Sequence, residues 1–407
     1  MKVLLVSEPG VDGVFRFVES LTHFLADQGV EIHYAYSNRR GCDRLQTLVD
    51  FVRQRGGETF NLATSSLPSL SDIAAFNGLR ALVQKVQPDV IHSHSSKAGV
   101  LARGLMLLGS RIPQIYQPHA YSGMRPQKKI MRFVYDSIER VMGHCGITVN
   151  ISADEYAYAL GQLHLPVGRA EWLTNGIDTA HFHPATPSDK IALRRKLGLP
   201  VAAQILGTMG RASQQKDPLT TYRAYAAAAA TNPHLVLFHV GKGELDPEID
   251  RFIAEHGLEK KVFRLPYLST PVDFYQAIDG FILTSLYEGM SLAVLEAMAC
   301  DLPLIVSQAP GNRDLSKLPI SHLWLAPIGD EAAFARAIGE WSAGRPGPST
   351  NRTCAEWHFD SKQTFRNILC LYDRLQKAHL RRHPPALAPE PVPLRATASE
   401  AALVERA

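Results

Sequence analysis

The sequence predicts an α/β protein made of two successive units, each a parallel sheet covered by helices. Three observations carry this. A chain of 407 residues exceeds what one hydrophobic core organises. Short apolar runs ending in glycine-bearing loops alternate with amphipathic or Ala-rich stretches in both halves. A turn-rich passage, with Asn175-Gly176 and then Pro184, separates the two alternations. The totals agree: 45% hydrophobic and 20% charged residues are globular proportions. A formal charge of +4 provides no dense basic face, so no nucleic-acid partner is expected. Five scattered cysteines without a Cys-x-x-Cys pair point to free thiols in a reducing compartment rather than to disulfides or zinc.

In order, residues 3–7 read as a buried strand. The loop 8–13, with Gly10 and Gly13, leads to a periodic helix marked by Phe15, Val18, Leu21 and Leu25. Strand, glycine loop and helix open a Rossmann-like unit. The loop lacks Gly-x-Gly-x-x-Gly, which disfavours a dinucleotide-dependent dehydrogenase. Its glycines permit either a tight turn or the close approach of an acceptor molecule. The initial apolar run is too short for a signal peptide, and no later run nears the ~20 residues of a membrane span. A cytoplasmic protein is therefore expected, with attachment at the inner face of a membrane left open.

Residues 31–36 give a second strand, 43–53 a helix, 59–62 a short strand or loop, and 71–87 a helix. A strand at 88–92 ends in His92-Ser93-His94-Ser95-Ser96-Lys97, read as a polar loop where ligands gather. Two histidines at i and i+2 suggest a metal only with a third ligand or a paired acid nearby, and neither is present. Residues 112–117 form a strand running into Pro118-His119-Ala120, where a lone histidine is either a hydrogen-bonding or a catalytic residue. Residues 124–141 make an amphipathic helix carrying Arg125, Lys128, Lys129, Arg132 and Arg140. Its charged face is expected to meet solvent; attraction to anionic lipid, or to a diphosphate-bearing acceptor, is the sharper alternative. A strand at 146–150 and a helix capped by Ser152-Ala153-Asp154-Glu155 follow.

Past a link near 178–190 and a short helix at 193–197, the second alternation begins. Strands fall at 204–209, 235–240, 262–265, 280–284 and 302–307, with helices at 220–230 and 272–278. Residues 281–299 run from an apolar strand end through a turn at Glu288-Gly289 into a helix from Ser291. Two acids, Glu288 and Glu296, flank seven residues. A glutamate on a helix is ordinarily solvated, but here the unpaired amides of a helix start face the same turn. Neighbouring strand ends add Arg211 and Lys216, Gly241 and Gly243, and residues 311–314. Two cations, glycine loops and a helix amino terminus together suit a diphosphate.

With these motifs in this order, the chain resembles the retaining glycosyltransferases of family 4, with two facing Rossmann-like domains and a cleft between them (the GT-B fold). The resemblance rests on Glu288…Glu296, Gly210-Arg211…Lys216, Asn175-Gly176-Ile177-Asp178 and Pro118-His119, and covers the chain from Met1 to about Leu380. It implies a transferase moving a hexose from a nucleotide-sugar, a UDP-sugar foremost, with the anomeric configuration kept and with no metal or other cofactor. Arg211 and Lys216 would hold the departing diphosphate; Glu288 would accept from donor-sugar hydroxyls, with Gly289, Met290, Ser291 and Leu292 lining the sugar or phosphate; Glu296 would accept from the ribose. Gly241 and Gly243 would belong to the donor site, and His119 would lie beside the donor sugar. Gly13, His94 and Lys97 would stand on the acceptor side. Where members often read Gly-Gly-Val-Glu-Arg, this chain has Asp12-Gly13-Val14-Phe15-Arg16, so acceptor contacts do not carry over at that loop. Residues 309–315 are similar to polysaccharide and lipid-linked-sugar members, implying a glycan or polyprenyl-diphosphate-linked acceptor, peripheral membrane contact and a place in bacterial cell-surface polysaccharide synthesis.

The implied domains are 1–180 for acceptor, 190–360 for donor, a helix at 361–380 crossing back to the first domain, and a disordered Pro/Ala-rich tail at 381–407. Two other functions fit the same residues: a nucleotide-sugar-binding scaffold without catalysis, and a sugar-nucleotide epimerase or hydrolase. Retention of both cations and both acids argues against the scaffold.

Overall fold

The structure, a computed structural model, describes residues 1–10, 12–39, 41–65, 68–344 and 347–380; the tail at 381–407 lies outside them. The first domain holds β1 (Lys2–Ser7), α1 (Asp12–Asp27), β2 (Glu31–Tyr36), α2 (Asp43–Gln54), β3 (Thr59–Asn61), α3 (Ser71–Val86), β4 (Val90–His94), α4 (Ser96–Leu107), β5 (Gln114–Gln117), α5 (Lys129–Met142), β6 (Ile147–Asn150), α6 (Ala153–Ala157) and β7 (Ala170–Trp172). Its strands form one sheet in the order β3-β2-β1-β4-β5-β6-β7, and every pair is parallel. Strands buried on both sides explain the unbroken apolar run of β1, where Val3, Leu4, Leu5 and Val6 are all fully buried.

The second domain holds α7 (Pro187–Lys196), β8 (Gln204–Met209), α8 (Pro218–Ala229), β9 (Leu235–Val240), α9 (Asp246–Glu255), β10 (Val262–Leu265), α10 (Pro271–Ala277), β11 (Gly280–Leu283), α11 (Leu292–Ala299), β12 (Leu304–Ser307), β13 (Leu323–Ala326), α12 (Glu331–Ala343) and α13 (Asn351–His358), and α14 (Ser361–Leu380) ends the described chain. The second sheet runs β10-β9-β8-β11-β12-β13 and is again parallel. Strand order reverses between β1 and β4 in one sheet and between β8 and β11 in the other. Such switch points open crevices at strand carboxyl ends.

The chain passes between the domains twice at one place. Ile177 N donates to the Phe359 carbonyl at 2.8 Å, and Ser361 N to the Ile177 carbonyl at 2.9 Å. From there α14 packs into the first domain, where Phe365, Ile368, Leu371 and Tyr372 are buried among Phe17, Val18 and Leu21. Among the described residues, no helix is long and apolar enough to cross a membrane.

Some local expectations need correction. Gly13 lies in the first turn of α1, not in a loop before it. β4 keeps His92, as expected, and runs two residues further than the polar sequence suggested, to His94. Alternation along a strand puts residues i and i+2 on one face, and the two rings lie 4.1 Å apart between centroids.

Candidate active site

At the second switch point the loops after β8 and β11 are stitched together. Leu286 N donates to the Gln215 carbonyl at 2.8 Å, Gln215 Nε2 to the Tyr287 carbonyl at 3.1 Å, and Thr284 Oγ1 to the Asp217 carbonyl at 2.7 Å. The stitching fixes where Lys216 and Glu288 emerge. Lys216 Nζ donates to Glu288 Oε1 at 2.6 Å, and Ser285 Oγ donates to the same oxygen at 2.7 Å. Glu288 is buried, 7% exposed, so this ion pair forms at the protected base of the crevice. Arg211 stands at the exposed start of the same loop.

Gly241 and Gly243 have a packing role that the sequence reading did not give them. A side chain at Gly241, whose φ is +144°, would collide with the Gly210 carbonyl, and one at Gly243 with that of Ala212. Their bare backbone lets the loops after β8 and β9 touch.

The Glu288-Gly289 turn reaches the first domain. A Cβ on Gly289 would stand 2.7 Å from Glu155 Oε1 and 2.9 Å from Ala120 N. Only glycine fits there. Asn175 Nδ2 donates to the Met290 carbonyl at 3.4 Å, and Leu292 lies across the cleft from Gly13, 3.7 Å from where its Cβ would be. Ser291 precedes α11; its hydroxyl is buried and has no hydrogen-bond partner among the described residues. The first amides of α11 are left for a ligand, as at any helix start.

Glu296 has partners that its implied role did not name. Its Oε1 is paired with Arg16 of α1, and its Oε2 accepts from the Tyr275 hydroxyl at 2.7 Å. The carboxylate thus bridges the two domains, and a ribose would have to share or displace Arg16. A cavity of about 180 Å³ lies alongside, with Arg16, Phe17, Arg44, Phe182, Leu292 and Glu296 in its wall. The Glu296 side chain is 2% exposed and that of Arg16 30%, so part of the attraction is screened. Arg16→Ala, which leaves the acid buried with only Tyr275, is expected to cost about 2 kcal/mol in urea unfolding; an unchanged midpoint would show that the pair contributes nothing.

Across the cleft, His119 and Ala120 are consecutive residues with positive φ, +53° and +90°, a strained turn for non-glycine residues. His119 Nε2 lies 3.1 Å from His94 Nδ1, and its ring stands edge-on to Phe17 at 5.0 Å. Burial pushes the His119 imidazole down to about 3 and that of His94 well below its ordinary value. Both are neutral near pH 7 and offer a donor and an acceptor rather than charge. Lys97, by contrast, gives its ammonium to Asp72 at 2.5 Å, so it is tied to α3.

Sequence reasoning passed over Glu155. It read Ser152 to Glu155 as a cap, and Ser152 Oγ does accept from Glu155 N at 3.2 Å. The Glu155 carboxylate instead accepts from Ile151 N at 2.9 Å and from Ala120 N at 2.5 Å, holding the strained turn. Next to it, Asp154 accepts from Gly311 N at 2.8 Å and pairs with Arg313. The Ser-x-x-Glu spacing was visible; the distant partners were not. Among the described residues, no three His, Cys, Asp or Glu side chains converge as metal ligands would.

The comparisons with known proteins match this architecture half by half. Residues 11–181 match the family model described as Glycosyltransferase Family 4, and residues 189–356 the model described as Glycosyl transferases group 1. Among curated relatives, the UDP-Gal:alpha-D-GlcNAc-diphosphoundecaprenol alpha-1,3-galactosyltransferase of Escherichia coli is 29% identical over 274 residues, 66% of this chain and 70% of that protein. A D-inositol 3-phosphate glycosyltransferase of Acidothermus cellulolyticus is 26% identical over 355 residues, 80% of this chain and 77% of that protein. Among solved structures, Anabaena HepE in complex with UDP and glucose superposes with a TM-score of 0.75 at 21% identity, over 92% of this chain and 99% of HepE. Sucrose-phosphate synthase from Thermosynechococcus elongatus superposes with a TM-score of 0.76 at 19% identity, over 93% of this chain and 99% of that one. Two sheets with switch points facing one cleft, and two family models lying in order along them, make this chain a family 4 glycosyltransferase of the GT-B fold.

Proposed function

We propose that the enzyme transfers a sugar from a UDP-sugar to a glycan or polyprenyl-diphosphate-linked acceptor, retaining the anomeric configuration and using no metal, in the synthesis of a bacterial cell-surface polysaccharide. The observation that carries the reading is the Lys216–Glu288 pair at the switch point, in front of the start of α11. Lys216, Arg211 and the first amides of α11 offset the charge that develops on a leaving diphosphate, work a metal ion does in other sites. Glu288 Oε1 is already occupied by Lys216 and Ser285, which leaves Oε2 to accept from a sugar hydroxyl. His119, neutral and held above the same crevice, suits a hydrogen bond to the sugar rather than an ionic role. Gly289, Met290, Ser291 and Leu292 line the donor site, and Glu296 accepts from the ribose once it shares its charge with Arg16. Gly13 and His94 lie on the acceptor side.

The donor and acceptor classes draw on relatives. The E. coli protein is named for a UDP-sugar donor and a diphosphoundecaprenol-linked acceptor, and HepE was solved with UDP and glucose. A thermal-shift screen against UDP-, GDP- and ADP-sugars tests the donor. The preferred donor at ~100 times its dissociation constant adds about 2.7 kcal/mol of stability, and a UDP-sugar is expected to be the one that does so. Stabilisation by a GDP- or ADP-sugar alone would overturn the donor assignment. UDP release that requires acceptor distinguishes transfer from hydrolysis, and donor binding without release against a broad acceptor panel would favour the scaffold.

A further inference from the structure

Helix α5 is turned inside out. Its buried residues are two acids, Asp136 and Glu139. Asp136 accepts from the Tyr158 hydroxyl at 2.7 Å, while Glu139 accepts from the Tyr116 hydroxyl at 2.8 Å and from Arg103 Nη2 at 2.9 Å. With its two acids satisfied inside, the helix leaves its apolar residues outside. Ile130, Val134, Ile138 and Val141 stand one helical face apart from the body, widened by Met131 and Phe133, and these six side chains are 39–65% exposed. No other described helix carries so much exposed apolar surface, and such a patch marks an interaction site.

The charges around the patch identify its partner. Arg125, Lys128, Lys129 and Arg132 are exposed beside it. The only acids between residues 121 and 144 are the two that are buried. A second copy docked through the same face by a twofold axis would set these cations against their own equivalents. An anionic bilayer meets both requirements: phosphate for the cations and an acyl boundary for the stripe. We propose that α5, with residues 125–128 before it, is a docking surface for anionic phospholipid membranes.

The location adds a consequence. The segment from the His119-Ala120 turn leads directly into α5, and Arg125 stands over the Tyr287 ring at 5.9 Å, next to Glu288. Docking α5 therefore places the rim of the cleft at the lipid surface. Delivery of a lipid-linked acceptor to that rim rests on the proposed function; docking itself does not.

Flotation of the full chain with vesicles, without donor or acceptor, tests the surface alone. Binding is expected to vesicles of phosphatidylcholine mixed with phosphatidylglycerol and to fall at least about tenfold on phosphatidylcholine alone. Lys128→Glu/Lys129→Glu is expected to lose at least about tenfold on the anionic vesicles and to flatten the dependence on salt. Phe133→Ser/Ile138→Ser is expected to lose binding at every salt concentration while its melting temperature stays at the wild-type value, since both side chains are exposed. Equal binding to neutral and anionic vesicles, or full binding by both variants, would overturn the proposal. So would a wild-type dimer in sedimentation velocity that fails to float and that Phe133→Ser/Ile138→Ser converts to monomer, which would assign the face to a second copy.

Discussion

Lys216→Ala is expected to lower kcat/KM for sugar transfer by about 10²–10³-fold, the usual loss when one preorganised charge is removed from a developing anion. The ammonium is held in place before any donor arrives, by Glu288 Oε1 at 2.6 Å and by two loops stitched through Gln215, Leu286 and Thr284. It therefore needs no reorganisation as charge builds on the leaving group. Glu288→Gln keeps the shape of the site but removes the charge that holds Lys216, and a loss on the order of 10²-fold is expected. The double variant decides whether the two act as one unit. Its loss should fall well short of the product of the single losses, because each single change already undoes the pair. Stabilities measured alongside separate folding from chemistry. Lys216→Ala leaves a buried carboxylate without its cation and is expected to cost about 1–3 kcal/mol, a loss the Glu288→Gln variant avoids. Wild-type transfer by both single variants would remove the site from this cleft.

Much of the fold was legible because parallel strands covered on both faces are apolar throughout. The strands at 31–36, 204–209 and 235–240 were read to the residue on that ground, and so was 262–265, although β10 is an edge strand with half-exposed side chains. The sequence reading left out β7 and β13, which are short strands at the sheet edges with mostly half-exposed side chains; such strands lack the continuous apolar run that marks the centre. In α5 the periodicity was plain, but a period gives two faces and not which one points inward. That depended on Tyr116, Tyr158 and Arg103 being placed to receive the acids. The basic face expected in solvent is there, with Arg125, Lys128, Lys129 and Arg132 exposed; what the period did not give is that the two acids turn inward and the apolar residues outward.

For the site, the sequence was enough to bring Lys216 and Glu288 to neighbouring strand ends of one donor site, though not to show that they pair. It was not enough for Glu296. Its partner Arg16 is 280 residues away in sequence, and only the approach of the two domains brings them together. The same holds for Gly289, whose need for a bare backbone arises from Glu155 and Ala120 in the other domain.

Glu155 is where this interdomain packing acquires a pH dependence. Its side chain is fully buried. Burial, with a smaller push from the charge of Asp154, raises its carboxyl to about 7 against the pull of the Ile151 and Ala120 N–H groups. A carboxyl raised in the folded state contributes most below its ordinary value near 4.5, where it is protonated folded and unfolded alike. The contribution is lost as pH rises through about 7, since the folded protein then holds a charge that the unfolded chain solvates better. Across that window the loss amounts to roughly 3 kcal/mol. Glu155→Gln removes this titration. Its amide has one oxygen for two N–H groups, so either Ala120 or Ile151 is left facing a donor, which costs about 1–3 kcal/mol at low pH. The stability of wild type minus that of Glu155→Gln should therefore be about 1–3 kcal/mol near pH 4.5 and fall by roughly 3 kcal/mol by pH 7.5, to zero or to the opposite sign. Urea titrations of both proteins at the two pH values measure it, with other groups cancelling in the difference. The same substitution loosens the positive-φ turn that carries His119, and kcat is expected to fall on the order of 10–10²-fold. A gap that stays constant with pH would mean that Glu155 is charged throughout, and that the turn carrying His119 is held by an ordinary carboxylate.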